Sequence, residues 1–204
     1  MIFGKKYFTS GNYEDYLQRL PKYTRLSKDF CFLKRMQINK VLDFGCGVGF
    51  LTLGLSQQGF DCIGYDKSRW AVNYANENLG IKVTYDKSVL KERYDCVFLL
   101  DVLEHNSLRQ IKKIISLDTN FLIVRIPVKK EKEKSYYLSK SRNDKSHITC
   151  MSKKQWINLF NKSGYVELTR IKKTKIWDST GVYCALLQKN DSSYTKNQAY
   201  NSKY

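Results

Sequence analysis

Short apolar segments alternate with amphipathic segments through the middle of the chain. Five segments show the compact apolar pattern of strands, at 40–44, 61–65, 81–85, 95–100 and 120–126. Three segments between them carry apolar residues at helical spacing, at 50–58, 68–78 and 107–116. Strands and helices that alternate with short connections predict an α/β fold with a mostly parallel sheet.

Two helices are predicted before this block. The tyrosine-rich stretch from Gly11 has near-helical spacing until Pro21 interrupts it, and a second helix is predicted from about Tyr23 to Met36. Inside the block, Ser68 is the predicted N-cap of its helix, because a serine hydroxyl can accept hydrogen bonds from the first free backbone N–H groups.

The second half adds an insertion and two more strands. The charged, serine-rich stretch 129–146 has no clear period and is predicted to be a loop or insertion. A helix capped by Ser152 is predicted at 151–163. Strands are predicted at 165–172 and 181–188, joined by a turn around Asp178 and Ser179. The expected sheet is therefore seven-stranded and flanked by helices.

The length of 204 residues suits one domain with a substantial core. We expect an N-terminal helical segment at 1–38, the main domain at 39–189 with the insertion at 129–147, and a disordered polar tail at 190–204. A 42% hydrophobic and 14% aromatic composition excludes a disordered chain, and we find no stretch of about 20 apolar residues that would span a membrane.

Cysteine usage and the N-terminus bear on the compartment. The six cysteines include no CxxC pair, so metal-site spacing is absent and buried free thiols are expected. The early lysines are followed by no apolar segment of the kind found in secretory signals. Both observations predict a cytoplasmic protein.

The net charge of +17 is unevenly distributed, since residues 106–204 carry 21 Lys and Arg against 7 Asp and Glu. A basic half could attract nucleic acid, anionic lipid headgroups or a phosphorylated substrate. A solvated lysine-rich surface explains the same numbers, so both interpretations stay open.

A glycine loop follows the first predicted strand. Residues 41–49 read VLDFGCGVG, with Asp43 at the end of the strand. Glycines let the backbone turn tightly and approach a ligand, and the carboxyl ends of parallel strands are where such folds bind ligands. The G-x-G-x-G spacing differs from the G-x-G-x-x-G of dinucleotide sites.

Acidic residues end the second and fourth strands. Asp66 follows Ile63-Gly-Tyr, about 20 residues beyond the loop, where a carboxylate can accept hydrogen bonds from both hydroxyls of a ribose. An N-cap of the next helix is the alternative for Asp66. The fourth strand continues into Asp101-Val-Leu-Glu-His105.

These motifs resemble those of class I S-adenosylmethionine-dependent methyltransferases of the small-molecule and glycan branch. Residues 41–49 are similar to the family's (V/L)LDxGxGxG motif, and 94–105 to its (F/Y)DxVxxxxxLEH motif. The resemblance implies a Rossmann-like methyltransferase fold with an N-terminal helical lid and S-adenosyl-L-methionine as the cofactor. It is specific from 40 to 105 and looser to 188.

The resemblance also implies positions for the cofactor. The glycine loop would surround the amino-acid moiety, Asp66 would bind the ribose, and Tyr65 or Lys67 would line the adenine. The implied cofactor-binding residues are Asp43, Gly45, Cys46, Gly47, Gly49, Tyr65, Asp66, Lys67, Asp86 and Asp101.

Two histidines are the candidate general bases, because histidine has an ordinary pKa near about 6.5. His147 is preferred, since it lies in an N-D-K-S-H segment like those of relatives that act on sugars or lipid-linked glycans. His105 is second. Packing or hydrogen-bonding roles are the alternatives for both.

We therefore predict methyl transfer to an oxygen or nitrogen of a small-molecule, sugar or lipid-linked acceptor. An RNA methyltransferase recruited by the basic half, and a non-catalytic activating subunit, are the alternatives. Specificity is expected in the insertion at 129–146, the N-terminal helices and the loop around Trp177.

Overall fold

The computed structural model describes residues 3–10, 14–171 and 181–190. Its centre is a seven-stranded sheet in the order β3-β2-β1-β4-β5-β7-β6. The strands are β1 Lys40–Phe44, β2 Asp61–Tyr65, β3 Val83–Thr84, β4 Tyr94–Leu100, β5 Thr119–Pro127, β6 Tyr165–Arg170 and β7 Val182–Lys189. The pairings among β1 to β5 are parallel, whereas β7 pairs antiparallel with both β5 and β6. The predicted Rossmann-like fold is confirmed.

Helices cover both faces of the sheet. The α-helices are α1 Lys5–Thr9, α2 Leu20–Lys28, α3 Phe32–Arg35, α4 Phe50–Gln57, α5 Arg69–Leu79, α6 Leu108–Ile115, α7 Ser139–Asn143 and α8 Lys153–Lys162, and 3-10 turns lie at Tyr16–Arg19, Lys87–Lys91 and Leu103–His105. None of the helices in the described residues is long and apolar enough to cross a membrane.

The central strands are apolar along their whole length because side chains on both faces are buried. On one face, Val97 and Leu99 of β4 pack in a core with Trp156 of α8. On the other face, Cys96 and Phe98 pack with the helices before β1 and after it. The sheet is thus a rigid layer that holds the ends of β1, β2 and β4 next to one another.

The predicted caps are confirmed. The hydroxyl of Ser68 accepts from the backbone N–H of Ala71 at the start of α5, 3.2 Å away. Ser152 caps α8 in a capping box with Gln155. Each serine satisfies an N–H group that has no partner within its helix.

The prediction for Pro21 was wrong. Pro21 does not interrupt a helix but lies in the first turn of α2, where its missing N–H costs no helical hydrogen bond. The predicted helix over 23–36 is divided, because α2 ends at Lys28 and α3 begins at Phe32.

Smaller differences concern other elements. The predicted third strand at 81–85 shortens to the two residues of β3, and the insertion contains the short helix α7. The turn at Asp178 and Ser179, the loop around Trp177 and the tail from 191 lie outside the described residues.

Candidate active site

The glycine loop connects β1 to α4 and is held against the end of β2. The backbone N–H of Gly45 donates to the carbonyl of Tyr65 over 2.7 Å. Gly45 and Gly47 have φ of 75° and 56°, a left-handed conformation that side chains disfavour. A Cβ on Gly45 would also lie 2.6 Å from Val102. Both glycines line a cavity of about 490 Å³ at the carboxyl edge of the sheet.

Asp66 ties this loop to the next helix. Its carboxylate accepts from the backbone N–H of Gly47 at 2.9 Å and of Ser68 at 2.7 Å. Burial raises the pKa of Asp66, while these two hydrogen bonds act in the opposite direction. The N-cap of α5 is Ser68 and not Asp66, and Asp66 lines the cavity together with Tyr65 and Lys67.

Replacing Asp66 with alanine is expected to weaken S-adenosylmethionine binding about tenfold to a hundredfold, because charge-assisted hydrogen bonds contribute about 1.5–3 kcal/mol. Isothermal titration calorimetry measures the affinity. Asp61→Ala, at the opposite end of the same strand, is the matched control and should bind as wild type. Equal affinities for the D66A variant and the wild type would contradict the role of Asp66.

Asp43 lies behind the loop and not among the residues that line the cavity. Its buried carboxylate accepts from the hydroxyl of Thr52 in α4 over 2.7 Å. Burial raises the pKa of Asp43 to about 7, against the hydrogen bond from Thr52. The position suits a residue that fixes the loop to α4 from below.

The Asp43→Asn variant is expected to reduce the pH dependence of unfolding. A carboxyl whose pKa rises on folding stabilises the native state below its ordinary pKa of 3.8, and this contribution disappears as pH rises to about 7. Between about pH 5 and about pH 8 the wild type should lose on the order of 3 kcal/mol more than the variant, which keeps the pH dependence of its other buried carboxyl groups. Urea unfolding at about pH 5 and about pH 8 measures it, and equal losses in both proteins would contradict the assignment.

Three other predicted cofactor residues lie away from the cavity wall. Cys46 is buried, and burial raises the pKa of its thiol well above the ordinary value. Gly49 faces Ile81 and begins α4. Asp86 is exposed and caps the turn after β3 by accepting from Ser88, which lowers its pKa. Asp86 borders a separate open groove beside Tyr85.

Asp101 occupies a strained position at the end of β4. Its φ of 56° is uncommon for a residue with a side chain, although aspartate tolerates it better than most. Its backbone N–H donates to the carbonyl of Arg125 over 2.8 Å, and its carboxylate pairs with the guanidinium of the same residue. Arg125 is buried in β5 and lines the cavity. Arg125 was not predicted from the sequence, where its only signal is a charged residue inside an apolar strand.

The two histidines meet on the wall of the same cavity. The ring centroids of His105 and His147 are 4.5 Å apart. Burial is the main cause that lowers the pKa of His105 to about 4, and the neighbouring His147 is the second cause. Burial also lowers the pKa of His147, and Asp144 acts against that shift. Both rings are therefore neutral at physiological pH, the state in which a histidine can accept a proton.

Glu104 lies beside the histidines and is fully buried. Neither of its carboxyl oxygens has a hydrogen-bond partner among the described residues, and burial raises its pKa well above the ordinary value. One ligand atom from each of Glu104, His105 and His147 lies within 4.8 Å of the others, a donor set that suits a metal ion. The sequence signal for metal sites was cysteine spacing, and this set contains no cysteine.

N-terminal aromatic residues cover the part of the cavity that the glycine loop lines. Phe8 stacks on Trp70 of α5 with ring centroids 5.5 Å apart. Tyr16 stacks on Phe50 at 5.8 Å, and its hydroxyl would lie 2.7 Å from a Cβ on Gly47. Tyr7 also lines the cavity. The glycine loop is thus roofed by this segment.

Comparison with known proteins places this geometry in a family. A family model described as a methyltransferase domain matches residues 6–169. Over 75 residues the chain is 40% identical to the ubiquinone biosynthesis O-methyltransferase of Rickettsia bellii, a match that covers 32% of this chain and 31% of the relative. The chain thus matches about a third of that relative's length.

Two solved structures illustrate the shared fold. Magnesium protoporphyrin IX methyltransferase from Synechocystis PCC 6803, solved with bound SAH, superposes with a TM-score of 0.59 at 19% identity, over 82% of this chain and 84% of that chain. The 16S rRNA methylase ArmA superposes with a TM-score of 0.54 at 19% identity, over 84% of each chain. The same fold therefore serves both a small-molecule enzyme and an RNA enzyme, and it does not identify the acceptor.

Proposed function

Because the chain belongs to the class I S-adenosylmethionine-dependent methyltransferase family, we propose that it methylates an oxygen or nitrogen of a small-molecule, sugar or lipid-linked acceptor. One observation carries the proposal. A single cavity is lined both by Gly47 and Asp66, which we call its cofactor end, and by His105 and His147, which we call its acceptor end. A bound cofactor and an acceptor would meet inside it.

The cofactor end fits S-adenosylmethionine. The two glycines without Cβ atoms leave room for the amino-acid moiety, and the buried carboxylate of Asp66 would accept from the ribose hydroxyls. Tyr65 and Lys67, on the same wall, would border the adenine. The bound cofactor supplies an electrophilic methyl carbon on a sulfonium.

The protein contributes chiefly alignment, because holding two reactants in line can supply about 7–11 kcal/mol of the barrier. Asp101 would border both cofactor and acceptor from the end of β4. His147 would accept the proton of a hydroxyl or amine acceptor, with His105 as its neighbour. The neutral state of both rings supports this role.

The acceptor end supports a small acceptor better than RNA. Its walls include the carboxyl groups of Asp101, Glu104 and Asp144, beside Arg125. An aspartate carboxylate on this wall would repel a nearby phosphate backbone, whereas the raised pKa of Glu104 favours its neutral form. The relative from Rickettsia bellii, named an O-methyltransferase, favours oxygen as the methylated atom.

Calorimetry followed by an acceptor screen tests the proposal. Titration with S-adenosylmethionine should show binding at a single site. Release of S-adenosylhomocysteine is then measured with dihydroxyphenols, sugar nucleotides and a ribosomal RNA transcript. We expect release with a small acceptor. Absence of cofactor binding would contradict both the small-acceptor and the RNA methyltransferase. Release of S-adenosylhomocysteine only with RNA, and falling steeply as the salt concentration rises, would show that the acceptor is RNA.

A further inference from the structure

Glu104 is a buried acid that the proposed reaction does not use. Neither of its side-chain oxygens has a hydrogen-bond partner among the described residues. The residue is fully buried and lines the acceptor end of the cavity beside His105 and His147. A buried carboxyl group without a partner costs free energy, so a site that keeps one calls for a group that satisfies it. A cation is a partner that a carboxylate and two imidazoles can share.

The two histidines complete a compact donor set around this carboxyl group. One ligand atom from each of Glu104, His105 and His147 lies within 4.8 Å of the other two. Nε2 of His147 lies 4.0 Å from Oε1 of Glu104. The backbone carbonyl of Glu104 accepts from Ile148 at 2.9 Å and from Thr149 at 3.0 Å, which fixes the insertion to the turn after β4. The donor set is therefore held together by backbone hydrogen bonds between the two segments.

We propose that Glu104, His105 and His147 bind one divalent transition-metal ion of the zinc class, whose remaining coordination positions face the cavity and take an oxygen of the acceptor. Two imidazoles and one carboxylate suit Zn²⁺, whereas Mg²⁺ and Ca²⁺ prefer oxygen ligands. Three protein ligands leave a position open, as in the zinc sites that act on a substrate. Binding of the ion itself requires neither acceptor nor cofactor.

The spacing of the donor atoms suits an ion after a small closure. Zinc bonds of about 2.0–2.2 Å place neighbouring ligand atoms of a tetrahedral site about 3.4 Å apart. The 4.0 Å between His147 and Glu104 must therefore shorten by about 0.6 Å. The carboxyl group of Glu104 can supply this movement by rotating, because no hydrogen bond to the described residues holds its oxygens.

Ser146 holds the ring of His105 in the way that metal-binding histidines are held. Its backbone carbonyl oxygen lies 3.3 Å from Nδ1 of His105, and its hydroxyl oxygen lies 2.9 Å from the same nitrogen. A histidine that binds a metal through one ring nitrogen is commonly oriented by a polar contact on the other nitrogen. The contacts with Ser146 fix the ring of His105 and leave its other nitrogen for the ion.

The charged groups beside the site favour a cation. Oδ2 of Asp144 lies 3.6 Å from Nε2 of His147, and the side chain of Asp144 is only 8% exposed. The guanidinium of Arg125, on the neighbouring strand, is paired with the carboxylate of Asp101. An ion bound at Glu104 would thus be attracted by Asp144 and would face an arginine whose charge is already balanced.

The position of the site indicates what the ion would do, and this step rests on the proposed function. All three ligands line the cavity, so an acceptor hydroxyl could bind at the open position. A hydroxyl bound to the ion loses its proton to water at a lower pH than a free hydroxyl does. Its oxygen then attacks the methyl carbon of the sulfonium as the carbon–sulfur bond breaks, which gives a methyl ether and S-adenosylhomocysteine. With the ion bound, His147 acts on that proton through the metal, whereas in the ion-free protein its ring is the base.

Zinc titration of the ion-free protein tests the site without any acceptor. The protein is dialysed against EDTA, returned to metal-free buffer and titrated with ZnCl₂ in a calorimeter. Glu104→Gln keeps the size of the side chain and removes its charge. Its affinity for Zn²⁺ should fall by about a hundredfold or more, because the loss of even an outer partner of a metal ligand costs about 10–100-fold. Any zinc bound at the exposed thiol of Cys31 is common to both proteins, so the site is the difference between them.

Glu92→Gln is the matched control, because this glutamate lies before the opposite end of β4 and pairs with Lys40 on the surface. It should bind Zn²⁺ as the wild type does. A second measurement is nitrogen-15 NMR of the histidine rings, since the chain has only two histidines. Zn²⁺ should shift the ring resonances of both histidines in the wild type and in E92Q.

Three results would overturn the proposal. They are equal zinc affinity and stoichiometry in the wild type and a folded E104Q variant, histidine resonances that do not move with zinc, and saturation by Mg²⁺ without binding of Zn²⁺. Folding of E104Q is judged by circular dichroism. Failure of the wild type to bind S-adenosylmethionine would instead remove the proposed function and leave the zinc result standing.

Discussion

Replacing Gly47 with valine is expected to abolish detectable S-adenosylmethionine binding, a loss of about a hundredfold or more in affinity. Gly47 has a φ of 56°, and a Cβ there would lie 2.7 Å from the hydroxyl of Tyr16 and 3.3 Å from the ring of Phe8. The larger side chain would occupy the space above the loop and displace its aromatic roof. Isothermal titration calorimetry measures the affinity.

Gly80 provides a control with the same backbone strain. It has a φ of 61° at the end of α5, and a Cβ added there would meet no atom within 4 Å. Gly80→Val should therefore lose stability through strain of about 1–3 kcal/mol and bind the cofactor as wild type. Similar cofactor affinities for G47V and G80V would show that the loop does not hold the cofactor.

Replacing His147 with alanine is expected to lower turnover about a hundredfold or more, because a positioned general base contributes about that much. Cofactor affinity should stay close to wild type, since the contacts of His147 are with His105, Glu104 and Asp144 and not with the glycine loop. The measurement is initial-rate release of S-adenosylhomocysteine with the acceptor identified in the screen. His105→Ala should have a smaller effect, because His105 is the neighbour of the base.

The pH profile separates a base from a packing residue. Burial lowers the pKa of His147, so the neutral ring persists below the ordinary histidine range and the acidic limb of turnover should lie below about pH 6.5. H147A should lack that limb. Wild-type turnover in H147A would return His147 to a structural role that packs the insertion against His105 and Glu104.

Most of the fold was predictable from local patterns. The strands β1, β2, β4 and β5 are short apolar segments, the pattern of parallel strands that are buried on both faces. Ser68 and Ser152 cap their helices by accepting from the backbone N–H three residues later, which is a local signal in the sequence. Pro21 was misjudged because the same residue ends one helix or begins another, depending on where the first turn lies. The turn at Asp178 and Ser179 stays a prediction.

The geometry of the glycine loop and Asp66, the candidate cofactor end, was predictable for a similar reason. The glycine spacing from 45 to 49 and the carboxylate of Asp66 act through the backbone of one strand–loop–helix unit and its neighbour. The position of Asp43 behind the loop was not predictable, because it depends on the packing of Thr52 in α4 against the end of β1. The hydrogen bond from Thr52 is what shows that Asp43 lies beneath the loop and not on the cavity wall.

By itself, the sequence determined the order of strands and helices, the glycine loop and the two histidines as candidates. The tertiary structure decided what those histidines face. Glu104 and His105 lie 39 or more positions from Asp144, and only the docking of the insertion onto the end of β4 brings Asp144, Ser146 and His147 against them. Hydrogen bonds and burial between such distant segments leave no period in the sequence, because each depends on packing and not on local spacing.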